Sequence, residues 1–266
     1  MSSIDLKKLL DSGVHYGHLT RKWHPNMAPY IFMERNGTHI IDLNKTAWKL
    51  EEASKALTKI AQSGRKILFV ATKKQAKEIL ADHASACNMP YITERWPGGM
   101  LTNFVTIRKA IKKMIAIDKM KQDGTFLTLS KRERLQVDRQ RAKLEKDLGS
   151  IADMTRLPGA LFIVDIKREH IAVREAQKLG IPIFGMVDTN SDPEQIDFAI
   201  PSNDDASKSI DIILAHVSEA VKEGLTIRQN EREKAKADKA KSEKTEKPAK
   251  EEKPKADEEK KEETNA

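Results

Sequence analysis

His15 and His18 stand three residues apart, and His24 follows shortly after. Imidazoles at that spacing could ligate a metal from one face. The surrounding sequence is loop-like and offers no obvious fourth ligand, so packing combined with RNA contact is the favoured reading. Beside them, Thr20-Arg21-Lys22-Trp23-His24-Pro25 interleaves cations with an aromatic ring. That pairing neutralises a phosphate and stacks on a base or sugar. Arg21, Lys22, Trp23 and His24 are expected to form one RNA-contact group. Glu94-Arg95-Trp96-Pro97-Gly98-Gly99 repeats the pattern, although Trp96 reads equally well as an anchor tying its loop to the core. Thr72-Lys73-Lys74 follows a strand and opens a helix. A helix N-terminus with two lysines suits a phosphate. The same residues also read as an N-cap with solvated lysines, and the sequence leaves both open. Lys73, Lys74, Arg95 and Arg108 make a second expected contact group, and Lys131, Arg132 and Arg134 a third. Asp165 and Asp188 end strands, where open α/β sheets bind ligands. No His, Lys or metal partner stands near them in sequence, so they read as polar strand ends, with Asp188 capping the turn at Thr189-Asn190.

Enzyme signatures are absent. The sequence contains no G-x-x-x-x-G-K-[ST], no G-x-G-x-x-G and no G-x-S-x-G. No catalytic residue, cofactor, metal or small-molecule substrate is therefore expected. The competing class is a phosphosugar- or nucleotide-binding enzyme on the same kind of sheet.

Charge agrees with a polyanionic partner. The chain has 48 Lys and Arg against 40 Asp and Glu, a net charge of +8. From Arg228 onward there are 13 basic and 12 acidic residues, which leaves the excess in the body. Lys and Arg on such a body displace counterions from phosphates. A single cysteine, Cys87, excludes an intramolecular disulfide and fits a reducing compartment. No apolar run reaches the ~18 residues of a membrane span, and residues 4–10 read as a short amphipathic helix rather than a secretory signal.

The elements that must position these residues alternate. Strands are expected at 38–43, 67–71, 89–93, 160–165, 182–187 and 197–200. Helices are expected at 45–61, 75–86, 168–179 (closed by Gly180) and 209–221. Strands alternating with helices imply an α/β fold with a doubly wound, mostly parallel sheet. Two highly charged helices, 103–121 and 130–149, interrupt it, the second opened by a Ser130-Lys131-Arg132-Glu133 capping box. Ile107, Ile111 and Met114 on one arm, and Val137, Leu144, Leu148 and Ile151 on the other, make stripes too thin to cover a sheet. They fit an antiparallel coiled-coil hairpin. The expected organisation is an α/β domain made of 1–102 and 150–226, a protruding hairpin at 103–149, and a disordered Lys/Glu/Ala/Pro tail at 229–266.

Several motifs together carry a likeness. Gly13-Val14-His15-Tyr16-Gly17-His18 continues through Trp23-His24-Pro25-Asn26-Met27-Ala28-Pro29-Tyr30-Ile31-Phe32 to Arg35-Asn36-Gly37 and His39-Ile40-Ile41-Asp42-Leu43. Phe69 to Ala76, Glu94 to Phe104, Asp153 to Pro158, Asp165 to Ala176, and Val187-Asp188-Thr189-Asn190 through Asp204-Asp205-Ala206 follow in order. Over roughly residues 4–225 the chain closely resembles the bacterial small-subunit ribosomal protein S2 family. Pro97 and Ser191 depart from the family's usual residues. The resemblance implies a Rossmann-like domain with a coiled-coil hairpin and no catalytic activity. It further implies a cytoplasmic, ribosomal protein that binds small-subunit ribosomal RNA where head meets body. Its expected partners are neighbouring ribosomal proteins, including the mRNA-capturing protein of repeated OB-folds, with no membrane.

Overall fold

The computed structural model describes residues 4–245, with side chains through Lys234. A five-stranded parallel sheet forms its centre. The strands are β4 (Ile67–Val70), β5 (Tyr91–Ile92), β6 (Ala160–Val164), β7 (Ile183–Val187) and β8 (Phe198–Pro201), ordered β5-β4-β6-β7-β8. Ile-Leu-Phe-Val in β4 and Ala-Leu-Phe-Ile-Val in β6 are buried at every position. Continuous apolar runs are what a parallel sheet needs when helices cover both faces.

The pleat sends alternate residues into two cores. Phe69, Phe162, Phe184 and Ile200 face one layer, formed by α2 (Leu43–Gln62), α3 (Lys74–Ala86) and the first half of α7 (Ser207–Thr245), with Leu50, Leu57, Leu80, Ile210, Leu214 and Val217. Leu68, Val70, Leu161, Ile163 and Val187 face the other. There α6 (His170–Leu179) supplies Ala172, Val173 and Ala176, and the hairpin base supplies Ile107, Ile111, Leu148 and Ile151. The sheet is thus doubly wound, as the alternation implied.

The hairpin consists of α4 (Phe104–Gln122) and α5 (Lys131–Leu148), joined by a 3-10 turn at Thr125–Thr128. Ser130 and Glu133 make the reciprocal capping box at the start of α5. Ion pairs cross between the arms, Lys121 to Asp138 at 2.6 Å and Arg141 to Asp118. Arg141, which interrupts the apolar stripe, is accommodated because it turns to carboxylates on both arms, including Glu145 at 2.6 Å.

The strand expected at 38–43 exists as β3 (Thr38–Ile41), but it lies outside the parallel sheet. It is the middle of a three-stranded antiparallel sheet with β1 (Tyr16–Leu19) and β2 (Ile31–Arg35). Asn36 and Gly37, both at positive φ, form the two-residue turn between β2 and β3. Such turns match the twist of a hairpin. A short helix, α1 (Leu6–Asp11), precedes β1, with Asp5 accepting from the backbone of Lys7. Helix α7 runs to Thr245, so 229–245 of the expected tail is helical. The remaining tail residues, 246–266, lie outside the described residues. Among the described residues no helix is long and apolar enough to cross a membrane.

Candidate functional site

The small antiparallel sheet presents the turn that carries Arg21, Lys22, Trp23 and His24. Thr20–Lys22 form one 3-10 turn and Pro25–Tyr30 a second. Arg21 and Lys22 are exposed, and Trp23 is 41% exposed with its ring tilted over His39 at 5.3 Å between centroids. His24 holds the turn in place. Its backbone N–H donates to the Thr189 carbonyl at 2.8 Å, and its Nδ1 accepts from Asn26 at 3.3 Å. Two exposed cations therefore precede a partly exposed aromatic ring. This arrangement can neutralise phosphate and stack on a base.

The three histidines do not converge. His15 tilts over Tyr16, with ring centroids 4.1 Å apart. His24 caps its own turn. His18 alone enters a pocket, where Nδ1 lies 2.9 Å from Oδ2 of Asp188 and Nε2 lies 3.4 Å from Oδ2 of Asp205. The contact with Asp188 combines hydrogen-bonding distance with opposite charge. It raises the His18 pKa above the ordinary imidazole value, against the effect of burial. Gly17 makes this approach possible: a Cβ there would stand 2.6 Å from Cγ2 of Thr189. Gly17 is thus required for close packing against Thr189.

The pocket changes the account of Lys73. Its side chain is 11% exposed and its ammonium lies 2.8 Å from Asp204, 2.5 Å from Asp205 and 3.8 Å from Asp165. Burial opposes its charge, but Asp204 and Asp205 outweigh burial and hold its pKa above the ordinary lysine value. Lys73 is committed to carboxylates of its own chain and is not a free phosphate ligand. Burial, then the charges of Asp188 and Asp165, push Asp204 up to about 7 despite Lys73. The strand-end aspartates therefore do have His and Lys partners, Asp188 with His18 at 2.9 Å and Asp165 with Lys73 at 3.8 Å, brought from distant parts of the chain. Sequence neighbourhood could not show this.

Lys74 and Arg95 are exposed. Near them, Glu169 accepts from the Thr72 backbone at 3.0 Å and from its hydroxyl at 2.5 Å, so a native carboxylate already sits at this strand end. Burial raises the Glu169 pKa despite these bonds. Trp96 is 6% exposed and donates through Nε1 to Glu175 at 3.1 Å. It is a loop anchor. Glu175 also accepts from the backbone of Gly99, Leu101 and Thr102, at 2.8, 2.9 and 3.1 Å. Burial favours its neutral form, but these donors prevail and hold its pKa below the usual carboxylate value. Arg108 is exposed, and its guanidinium donates to the Thr155 carbonyl at 2.9 Å across the hairpin base. Lys131 and Arg132 are exposed at the start of α5, and Arg134 is half-buried. His18, just before the turn, and Lys73 meet through Asp205, whereas the cations of α5 stand on the hairpin.

Comparison with known proteins agrees with this architecture along nearly the whole chain. The family model described as ribosomal protein S2 matches residues 9–224. A protein of Flavobacterium johnsoniae named small ribosomal subunit protein uS2 is 72% identical over 245 residues, covering 92% of this chain and 96% of its own length. Proteins of the same name from Flavobacterium psychrophilum, 72% identical over 87% of each chain, and Parabacteroides distasonis, 65% identical over 89% of this chain and 85% of its own, match similarly. With its doubly wound sheet, charged hairpin and exposed Arg21–Trp23 turn, the chain belongs to the ribosomal protein S2 family.

Proposed function

We propose that this protein is a structural constituent of the small ribosomal subunit that binds its ribosomal RNA and supports translation in the cytoplasm. The observation that carries the proposal is agreement over 92% of the chain with a relative named small ribosomal subunit protein uS2. Arg21, Lys22, Trp23 and His24 form the principal RNA contact. Lys74, Arg95, Arg108, Lys131, Arg132 and Arg134 add phosphate contacts, while Lys73 holds the adjoining acidic pocket together. Phosphate and sugar contacts position such a protein on an RNA helix without reading its sequence. The protein sits at the junction of head and body and helps anchor the mRNA-capturing protein of repeated OB-folds.

Sedimentation of cell lysate through sucrose tests this. The protein is expected to travel with small subunits at moderate salt and to be released as salt rises, because each phosphate contact returns counterions to the RNA. Retention at the top of the gradient at low salt overturns the ribosomal role. Migration with mRNA alone points to a free regulatory RNA-binding protein.

A further inference from the structure

Helix α6 turns one sign of charge outward. Its two carboxylates, Glu169 at its N-cap and Glu175 within it, are 4% and 8% exposed. They accept hydrogen bonds from Thr72 and from the loop between Trp96 and Thr102. Lys167, Arg168, His170, Arg174 and Lys178 are exposed on α6 and the turn that leads into it, with no exposed acid among them. The other helices against the parallel sheet mix signs at their exposed positions: Glu51 with Lys55 on α2, Lys74 with Glu78 on α3, Lys222 with Glu223 on α7.

Lys167, Ile171, Arg174 and Lys178 recur at four, three and four residues, the spacing of one helix face. At ~1.5 Å per residue they line up over ~16 Å. Arg174 and Lys178 lie one turn apart, and among the described residues neither is in an ion pair. Like charges at that spacing weaken a helix unless an anion lies between them. Lys167 donates to the Asn190 carbonyl at 3.3 Å and Arg168 to the Thr72 hydroxyl at 2.8 Å, each with N–H groups to spare. Ile171, 46% exposed, and Leu179, 40% exposed, sit among these cations. Arm α4 of the hairpin has the same character. Arg108, Lys109, Lys112 and Lys113 are exposed on it, and its one acid, Asp118, pairs with Arg141. Both helices pack on the same face of the sheet, α6 through Ala172, Val173 and Ala176, α4 through Ile107 and Ile111.

We propose that the outward face of α6, centred on Arg174 and Lys178, is an RNA-binding surface separate from the Arg21–His24 turn and grips the backbone of an RNA helix. A row of cations with two aliphatic side chains and no acid suits phosphates and the sugars between them, which border the wide, shallow minor groove. The proposal rests on the ribosomal reading and adds a contact surface to it.

The test uses the full chain and small subunits washed free of it with high salt. An iron–EDTA group is tethered at position 178 through Lys178→Cys, since Cys87 is buried. Its hydroxyl radicals are expected to cut both strands of one RNA helix. The same group on Lys59→Cys, an exposed position on the opposite layer, should cut RNA far less. Arg174→Ala combined with Lys178→Ala should lower the salt dependence of association by roughly two phosphate contacts, about 1.4–1.8 in the log–log slope. Arg174→Glu with Lys178→Glu should weaken association at least tenfold. Lys59→Glu with Lys222→Glu, the same change of charge on the opposite layer, should weaken it less than threefold. If a Lys178→Cys chain that binds the subunit cuts no RNA, or cuts only a neighbouring protein, the proposal fails whether or not the other variants fold. Cutting of RNA without loss of slope in the folded alanine pair overturns it equally. Failure of the wild-type chain to bind the washed subunits overturns the ribosomal reading, and this surface with it.

Discussion

Glu175 is a single carboxylate that orders a whole loop. It receives the Trp96 indole and three backbone N–H groups from the segment between Gly99 and Thr102. Glu175→Ala strands these donors, and a loss of roughly 3 kcal/mol is expected in urea unfolding. Its folded pKa lies below the ordinary value of 4.5. The stabilisation is therefore whole above that value and fades as pH falls through the lower folded one. Glu175→Gln should start less stable and lose stability less steeply on acidification than the wild type. Gly17→Ala forces a Cβ onto Thr189, with Oγ1 at 2.8 Å and Cγ2 at 2.6 Å. The expected cost is ~1–3 kcal/mol, read by thermal unfolding. At this scale the sequence disclosed residue types but not partners. Arg21, Lys22 and Trp23 stand exposed together, and their adjacency in the chain is what made them a candidate group. Lys73 has the composition of a phosphate ligand and the position of a salt-bridge centre, and only the fold distinguishes the two. Glu175 gave no local signal, because its donors lie over 70 residues earlier.

Strands and helices with strong periodicity were legible. The four-residue buried run of β4, the apolar faces of α2 and α3, and the capping box of α5 each follow from local residue order. The antiparallel sheet was less so. Tyr16–Leu19 and Ile31–Arg35 are largely exposed, and neither shows the alternation of a half-buried strand. Asn36-Gly37 was the available clue to the β2–β3 hairpin. The hairpin of α4 and α5 has two regimes. Its base belongs to the second core through Ile107, Ile111, Leu148 and Ile151. Met114 and Ile117 are buried farther out, beyond that core. We propose that the outer part is a separable unit. Replacing 115–141 with a short Gly-Ser link should leave the melting temperature within a few degrees, whereas removing 103–149 should unfold the chain. Circular dichroism on heating distinguishes the two. Arg21→Ala combined with Lys22→Ala should leave that melting unchanged. It should lower the salt dependence of subunit association by roughly two phosphate contacts, about 1.4–1.8 in the log–log slope.

Across the whole molecule, segments far apart in the chain meet along one line at the carboxyl ends of the strands. Asn203 donates its backbone N–H to the Val14 carbonyl at 3.1 Å and its side chain to Gly13 at 3.2 Å, and His18 donates to Thr189 at 2.8 Å. The doubly wound class was legible because it rests on alternation, which is local. This closure was not, because it rests on pairs separated by 171 and 190 residues. It also has a consequence in time. Synthesis runs from the N-terminus at ~5–20 residues per second. The Arg21–His24 turn is made within the first tenth of the chain, but its seat, Thr189 and the segment through Asp205, comes roughly 10–30 seconds later at those rates. An interrupted chain thus carries the RNA-facing residues without the scaffold that shapes them. Only a chain synthesised past Asp205 presents its binding surface in this form.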